Sequence, residues 1–120
     1  NLLRSKIIYY YKYHLSDLPI QFQKIEKNVK SNNHVFSIVV DTKYRNKLNK
    51  FLINSAISTS IYYQKLLPSF TDKFTDIKLK KNFPNAFFLS KSIINLPIHP
   101  LLSLKELDYI CKKIRFFFQK

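Results

Sequence analysis

Histidine and cysteine, the side chains that most often carry out chemistry in proteins, are few in this sequence and are not spaced as a site. The chain has 120 residues, with three histidines and one cysteine. His14, His34 and His99 lie far apart and lack the paired spacing of a metal motif. Cys111 alone excludes an internal disulfide and a multi-cysteine zinc site, and we expect it to be a small core residue. The sequence therefore predicts no metal site and no catalytic residue.

A run of hydroxyl side chains is followed closely by two tyrosines. Ser58, Thr59 and Ser60 have no histidine and carboxylate nearby in sequence, so a polar strand face explains them better than a catalytic triad. Tyr62 and Tyr63 can donate and accept hydrogen bonds. From composition alone, the simplest interpretation of this pair is a strand end with one ring packed inward and the other at the surface.

The composition excludes several other kinds of site. The chain has no glycine, and loops that cradle phosphate need glycine for positive φ and for close approach of the backbone. A net charge of +14 would suit nucleic acid. However, 18 of the 21 basic residues are dispersed lysines and only three are arginines, which recognise bases and phosphates best. The abundant residues have A/T-rich codons, so much of the charge is explained by genome composition.

The chain starts at Asn1, without an initiator methionine or a signal peptide. We therefore expect it to be part of a longer chain. No apolar run approaches the length of about 18 residues that predicts a membrane span. The expected location is the cytoplasm, with no membrane partner.

Hydrophobic periodicity predicts how the first half of the chain positions these side chains. The predicted elements are a helix at 2–15, a strand at 35–40, a helix after residue 41 and a strand at 57–63. Asp41 or Thr42 can cap the second helix by accepting a bond from a free backbone N–H. Its apolar face contains Leu48 and Leu52 and leaves Arg45 on the other side. The strand at 57–63 would end at the tyrosine pair.

The second half contains a long irregular stretch and three further elements. Residues 64–82 lack a sustained period and are predicted to form a loop. The inner face of the next helix is expected to contain Ala86, Leu89, Ser92 and Ile93. Ser103 and Glu106 match a capping box, in which each side chain binds the other residue's backbone N–H. The predicted elements are a helix from residue 84, a short strand at 93–98 and a helix from residue 104.

Three stretches, in this order, resemble the C-terminal part of DegT/StrS-type sugar aminotransferases. They are the strand at 35–40 with Arg45 and Leu48, the segment from Ala56 to Tyr63, and the run from Phe83 through Leu96-Pro97-Ile98-His99-Pro100 to Ser103. The most specific piece is the last, a leucine-proline-apolar-His-Pro run between a Pro-x-Ala helix and a Ser-capped helix. The helix at 2–15 also resembles the one by which family members lead into the C-terminal domain.

The resemblance implies the aspartate-aminotransferase fold and pyridoxal 5'-phosphate chemistry. It implies amino transfer from an amino acid to a nucleotide-linked keto-sugar, in a homodimer. The family's Schiff-base lysine and most of its phosphate contacts belong to a large N-terminal domain. We therefore expect the cofactor to be bound mainly outside this sequence and the isolated chain to be inactive.

The expected fold class is α+β, a small domain with a short three-stranded sheet covered by three or four helices. Residues 1–16 would form the helix and linker from the large domain, and residues 17–120 the C-terminal small domain. The resemblance implies that Tyr62, Tyr63 or both contact the substrate.

The sequence departs from the family pattern at three positions. Ala56 stands where the family usually has glycine, and alanine resists positive φ. Tyr62-Tyr63-Gln64 stands where the family usually has His-Tyr-Pro, so a role that requires imidazole is in doubt. Two explanations stay open, altered sugar specificity and a decaying gene. A free-standing basic α/β module that binds nucleic acid or an acidic partner is the alternative function.

Overall fold

The chain folds as a small antiparallel sheet flanked by helices. A computed structural model describes residues 1–66 and 75–119. Within these residues the elements are α1 (Leu2–Leu15), β1 (Gln21–Phe22), β2 (Phe36–Val39), α2 (Thr42–Asn54), α3 (Asp76–Asn82), α4 (Pro84–Ser92), β3 (Ile93–Leu96) and α5 (Leu104–Phe118). The α+β class and the three-stranded sheet are confirmed; the described part of the chain has five helices, rather than the three or four expected, because α3 lies in the predicted loop. None of these helices is long and apolar enough to cross a membrane.

The sheet has the order β1-β2-β3, and both pairings are antiparallel. β2, predicted from its β-branched run, lies at the centre, where Phe36 and Ile38 point into the core. The strand predicted at 57–63 is wrong, because only Ser60 forms an isolated bridge, to Asn95. Alternation misled here because residues 62 and 63 are exposed, so the segment has no continuous buried face. The third strand is instead the two-residue β1.

The core lies between the sheet, α1, α2 and α5. α1 contributes Ile7, Tyr11 and Leu15, which recur at the helical spacing that the sequence predicts. α5 contributes a buried stripe at Leu107, Ile110, Cys111 and Ile114. Its predicted capping box is confirmed: Glu106 N donates to Ser103 Oγ at 3.1 Å, and Ser103 N donates to Glu106 Oε2 at 2.7 Å.

Two further predictions are corrected in the second half. Part of the predicted loop is α3, which Thr75 caps by accepting a bond from Lys78 N at 3.3 Å; residues 67–74 of that loop lie outside the described residues. Ala86 and Leu89 are exposed, and Ser90 faces inward instead. Ser92 is buried, as predicted. These serines are buried without penalty because each hydroxyl donates to a backbone carbonyl three or four residues earlier.

A bidentate ion pair ties the end of α1 to α5. Arg115 donates through both terminal nitrogens to the Asp17 carboxylate at 2.7 Å, and also to His14 O at 2.9 Å. Hydrogen bonding to Arg115 lowers the pKa of Asp17 to about 2.

The stability of the chain should depend on this pair in acid. Because folding lowers the pKa of Asp17, the pair stabilises the fold above the unfolded pKa of about 3.9, and this contribution is lost as the pH falls towards 2. Asp17→Asn should therefore lower the thermal midpoint at pH 7 but leave it close to wild type at pH 2. Arg115→Ala should flatten the same profile, since it removes the cause. Two variants with the wild-type pH profile would contradict the prediction.

Candidate functional site

The tyrosine pair lies on one wall of an open groove, which we call the tyrosine groove. Residues 61–66 form this wall, and Ala86, Leu89, Ser90 and Ile93, at the junction of α4 and β3, form the other side. The groove has a volume of about 850 Å³, within the range of small-molecule sites, about 300–1,000 Å³. Its lining is mainly apolar and aromatic.

Both tyrosine rings are accessible in the groove wall. Tyr62 and Tyr63 are 52% and 77% exposed, so the expectation of one inward ring is wrong. The peptide bond between them is cis, and their ring centroids are 5.6 Å apart with planes tilted by 39°. The pair therefore offers two aromatic faces and two hydroxyls to a ligand in the groove.

The chain before the tyrosines is anchored to α2 and β3. Ile57 N donates to Leu52 O at 3.0 Å. Thr59 Oγ1 donates to Asn49 Oδ1 at 2.5 Å. The backbones of Ser60 and Asn95 exchange two hydrogen bonds. The Thr59 hydroxyl and the backbone bonds of Ile57 and Ser60 thus hold the tyrosine-bearing segment in place.

Ala56 begins this segment in the left-handed region of backbone space, with φ of 63°. The turn thus keeps the conformation that glycine would favour, with alanine in its place. Left-handed geometry costs a non-glycine residue about 1–2 kcal/mol because its Cβ crowds the following carbonyl.

Ala56→Gly should therefore stabilise the chain by about 1 kcal/mol. This net value is the relieved backbone strain minus the cost of ordering glycine, which is more flexible than alanine in the unfolded chain. Thermal or urea unfolding of the purified chain measures this. Ala86→Gly is the matched control, because Ala86 lies within α4, where glycine should destabilise by about 1 kcal/mol. If both substitutions stabilised the chain, or both destabilised it, the prediction would be contradicted.

Arg45 binds the backbone of two residues that line the groove, Ser90 and Ile93. Its side chain is 5% exposed, so its predicted place outside the buried face is wrong. Arg45 Nη1 donates to the carbonyls of Ser90 and Ile93 at 3.0 and 3.3 Å, and Nε donates to Asn46 Oδ1 at 2.7 Å. A cation suits this position because the last carbonyls of α4 lack partners within the helix. Burial lowers the pKa of Arg45.

The remaining candidate residues have structural roles or lie outside the groove. His99 is a loop residue, as expected, and its Nδ1 accepts from Leu101 N at 3.2 Å. Cys111 is buried in the core, as expected, and burial raises the pKa of its thiol to about 12. Across residues 1–66 and 75–119, no group of three or more His, Cys, Asp or Glu is placed to hold a metal ion.

The groove does not fit pyridoxal phosphate on its own. Such a site needs a lysine for the Schiff base, a carboxylate or arginine partner for the pyridine nitrogen and a cradle for the phosphate. The described lining offers one amine, Lys65, and no carboxylate, arginine or glycine. What it does offer, aromatic faces and hydroxyls, suits a sugar or another polar ring.

Sequence reasoning missed the residues that build the groove behind the tyrosines. Arg45, Asn49 and Asn95 are far apart in sequence, and they act together only because α2 and β3 lie side by side. One signal was present: Asn95 interrupts an otherwise apolar run of residues in β3, and polar residues in a buried strand need a partner.

Many solved structures are similar to this chain, among them the following three. An aminotransferase of the DegT DnrJ EryC1 StrS group from Brucella abortus is 26% identical with a TM-score of 0.80, and the match covers 99% of this chain and 31% of that one. A candidate sugar aminotransferase from Streptococcus pneumoniae in its PMP form is 23% identical, with a TM-score of 0.82 over 98% and 30%. PseC from Helicobacter pylori, an aminotransferase involved in the biosynthesis of pseudoaminic acid, is 20% identical, with a TM-score of 0.70 over 98% and 32%.

This chain thus spans about a third of the length of the solved structures it matches. The second and third likenesses show the fold alone, since their identities are low. Comparison with curated proteins gives no match. The family model of the DegT/DnrJ/EryC1/StrS aminotransferases matches residues 1–115, nearly the whole chain. The chain therefore belongs to the DegT/DnrJ/EryC1/StrS aminotransferase family.

Proposed function

We propose that this chain is the C-terminal small domain of a pyridoxal-phosphate-dependent aminotransferase that transfers an amino group from an amino acid to a nucleotide-linked keto-sugar. Residues 1–16 form the helix and linker from a large domain, and residues 17–120 form the small domain. The parent protein is a cytoplasmic homodimer. The observation that carries the proposal is the family match over residues 1–115, together with a similar structure of about three times the length.

The cofactor is bound mainly by the large domain. The PMP form of the Streptococcus pneumoniae protein supports a pyridoxal-type cofactor for the parent protein. The lining of the tyrosine groove supports its placement elsewhere, because the described residues there offer no carboxylate or arginine for the pyridine nitrogen. The 120-residue chain alone is accordingly inactive in amino transfer.

Tyr62 and Tyr63 contact the sugar part of the substrate. Sugar rings pack their C–H faces on aromatic rings, and their hydroxyls exchange hydrogen bonds with tyrosine. Anchoring of residues 57–60 supports this role, because a ligand then meets rings whose backbone is already held in place.

The first test uses the longer protein that contains these residues. Purified with pyridoxal phosphate, it should show cofactor absorbance and transfer amino groups from an amino acid to at least one of a panel of nucleotide-linked keto-sugars. The 120-residue chain, assayed in parallel, should do neither. A longer protein that binds no cofactor, or activity in the 120-residue chain, would overturn the proposal.

Substitution of the tyrosines tests the site itself. Tyr62→Ala and Tyr63→Ala in the longer protein should together raise KM for the keto-sugar about 10-fold, as loss of about 1.4 kcal/mol of binding would. KM for the amino donor should change much less, because the proposed contacts of the tyrosines are to the sugar. Leu101→Ala is the matched control, since Leu101 is exposed and does not line the groove. An unchanged sugar KM would remove the tyrosines from the site.

The family match does not favour the alternative, a free-standing basic module for nucleic acid or an acidic partner. The structure also engages two of the three arginines internally: Arg45 binds backbone carbonyls, and Arg115 binds Asp17. Two of the three guanidinium groups that could bind phosphate through two hydrogen bonds are thus engaged within the fold.

A further inference from the structure

Asn95 connects β3 to the segment that carries the tyrosines. Its backbone N donates to Ser60 O at 2.8 Å, and Ser60 N donates to Asn95 O at 3.2 Å. Ser60 precedes Tyr62 by two residues. The position of Ser60 therefore constrains where the tyrosine rings can lie.

The side chain of Asn95 extends this connection to the central strand. The residue is 4% exposed. Its Nδ2 donates to Ser60 Oγ at 3.4 Å, and its Oδ1 accepts from Ser37 Oγ at 2.5 Å. Ser37 is the partner of Asn95 in the pairing of β2 with β3. The Asn95 side chain, on β3, thus forms hydrogen bonds both to β2 and to the tyrosine-bearing segment.

An amide is an unfavourable choice for this position on packing grounds alone. Buried strands favour β-branched and aromatic residues, and an amide taken out of water must recover its hydrogen bonds. Asn95 also faces the same side of the sheet as Ile93, two residues earlier, and Ile93 lines the groove. The polar side chain therefore lies beside the groove, where it can set the geometry of the opposite wall.

We propose that Asn95 is a positioning residue for substrate binding: its side chain holds Ser60, and through it Tyr62 and Tyr63, in the orientation that receives the keto-sugar. This inference rests on the proposed function. Asn95 acts through the tyrosines and does not touch the substrate.

Hydrogen exchange tests the positioning without any activity. In the 120-residue chain, Asn95→Ala should speed amide exchange around Ser60 about 10-fold, since the local opening loses a buried hydrogen bond. Exchange in α5 should stay the same. Ser37→Ala is the matched control, because it also disturbs the buried amide but leaves the bond to Ser60. Equal effects of the two variants around Ser60, or no effect of Asn95→Ala, would overturn the proposal.

Kinetics of the longer protein test the consequence. Asn95→Ala should raise KM for the keto-sugar about 5-fold with kcat and the amino-donor KM nearly unchanged, whereas a merely structural role would lower kcat with every substrate. Ser60→Ala should give the same rise in the keto-sugar KM. The double variant should raise this KM little further, because both substitutions remove the same side-chain contact between Asn95 and Ser60. Additive effects would overturn the proposal. A longer protein without aminotransferase activity would overturn the proposed function, and the exchange experiment would still decide the role of Asn95.

Discussion

Tyr11→Ala should destabilise the chain by about 4 kcal/mol, within the range of aromatic-to-alanine substitutions in cores. The side chain of Tyr11 is fully buried, and its ring stacks on Phe36 with centroids 5.4 Å apart. Its hydroxyl donates to Pro97 O at 2.7 Å. Alanine would leave a cavity between α1 and the sheet and would also remove the donor from that carbonyl. Because small domains are stable by about 5–15 kcal/mol, much of the fold's stability depends on this one side chain.

Tyr11→Phe separates the two contributions. It keeps the ring and its stacking and removes only the hydroxyl, so the expected loss is about 1 kcal/mol. Urea unfolding of the three proteins, followed by circular dichroism, measures both values. A phenylalanine variant as unstable as the alanine variant would show that the bond to Pro97, rather than the packing, dominates.

Arg45→Met should destabilise the chain by about 2 kcal/mol, the value of hydrogen bonds that involve a charged group. Methionine retains a stem that packs in the same space but removes the donors to the Ser90 and Ile93 carbonyls. Burial of the charged guanidinium is itself unfavourable and lowers the pKa of Arg45, so its removal partly offsets the loss of stability. We expect the lost hydrogen bonds to outweigh it, because the guanidinium binds carbonyls at a helix C-terminus, where a cation is favoured.

Arg45→Lys is the matched control, since it retains the charge but not the planar fork that reaches two carbonyls and Asn46 together. An intermediate loss in urea unfolding is expected. In the longer protein, Arg45→Met should also raise the keto-sugar KM, because Ser90 and Ile93 line the tyrosine groove. A methionine variant as stable as wild type would mean that desolvation of the guanidinium cancels its hydrogen bonds.

Local signals in the sequence were enough for the elements whose stability is mainly local. α5 follows from its apolar spacing and from Ser103 and Glu106, because a capping box and an amphipathic stripe are properties of neighbouring residues. β2 follows from a β-branched run. The family resemblance rests on the same kind of evidence, short motifs in a fixed order, and the family match confirms it.

The candidate site was only partly predictable. The tyrosine pair was singled out from the resemblance, and its role in substrate binding stays a prediction. The groove beside it, and the anchoring of its wall by Asn49 and Asn95, depend on contacts between residues that are 10 and 35 positions apart in the chain. No local pattern encodes such contacts, because they exist only once α2 and β3 are in place.

The sequence by itself determined the α+β class, the helices with clear apolar spacing, the central strand and the absence of glycine-dependent phosphate loops. Tertiary structure decided the rest. It placed Arg45 inside, because distant carbonyls at the end of α4 supply its partners. Residues 57–63, which alternate like a strand, form instead an anchored segment that follows a left-handed turn at Ala56. The pattern alone did not decide this, because burial of a strand face depends on what packs against it.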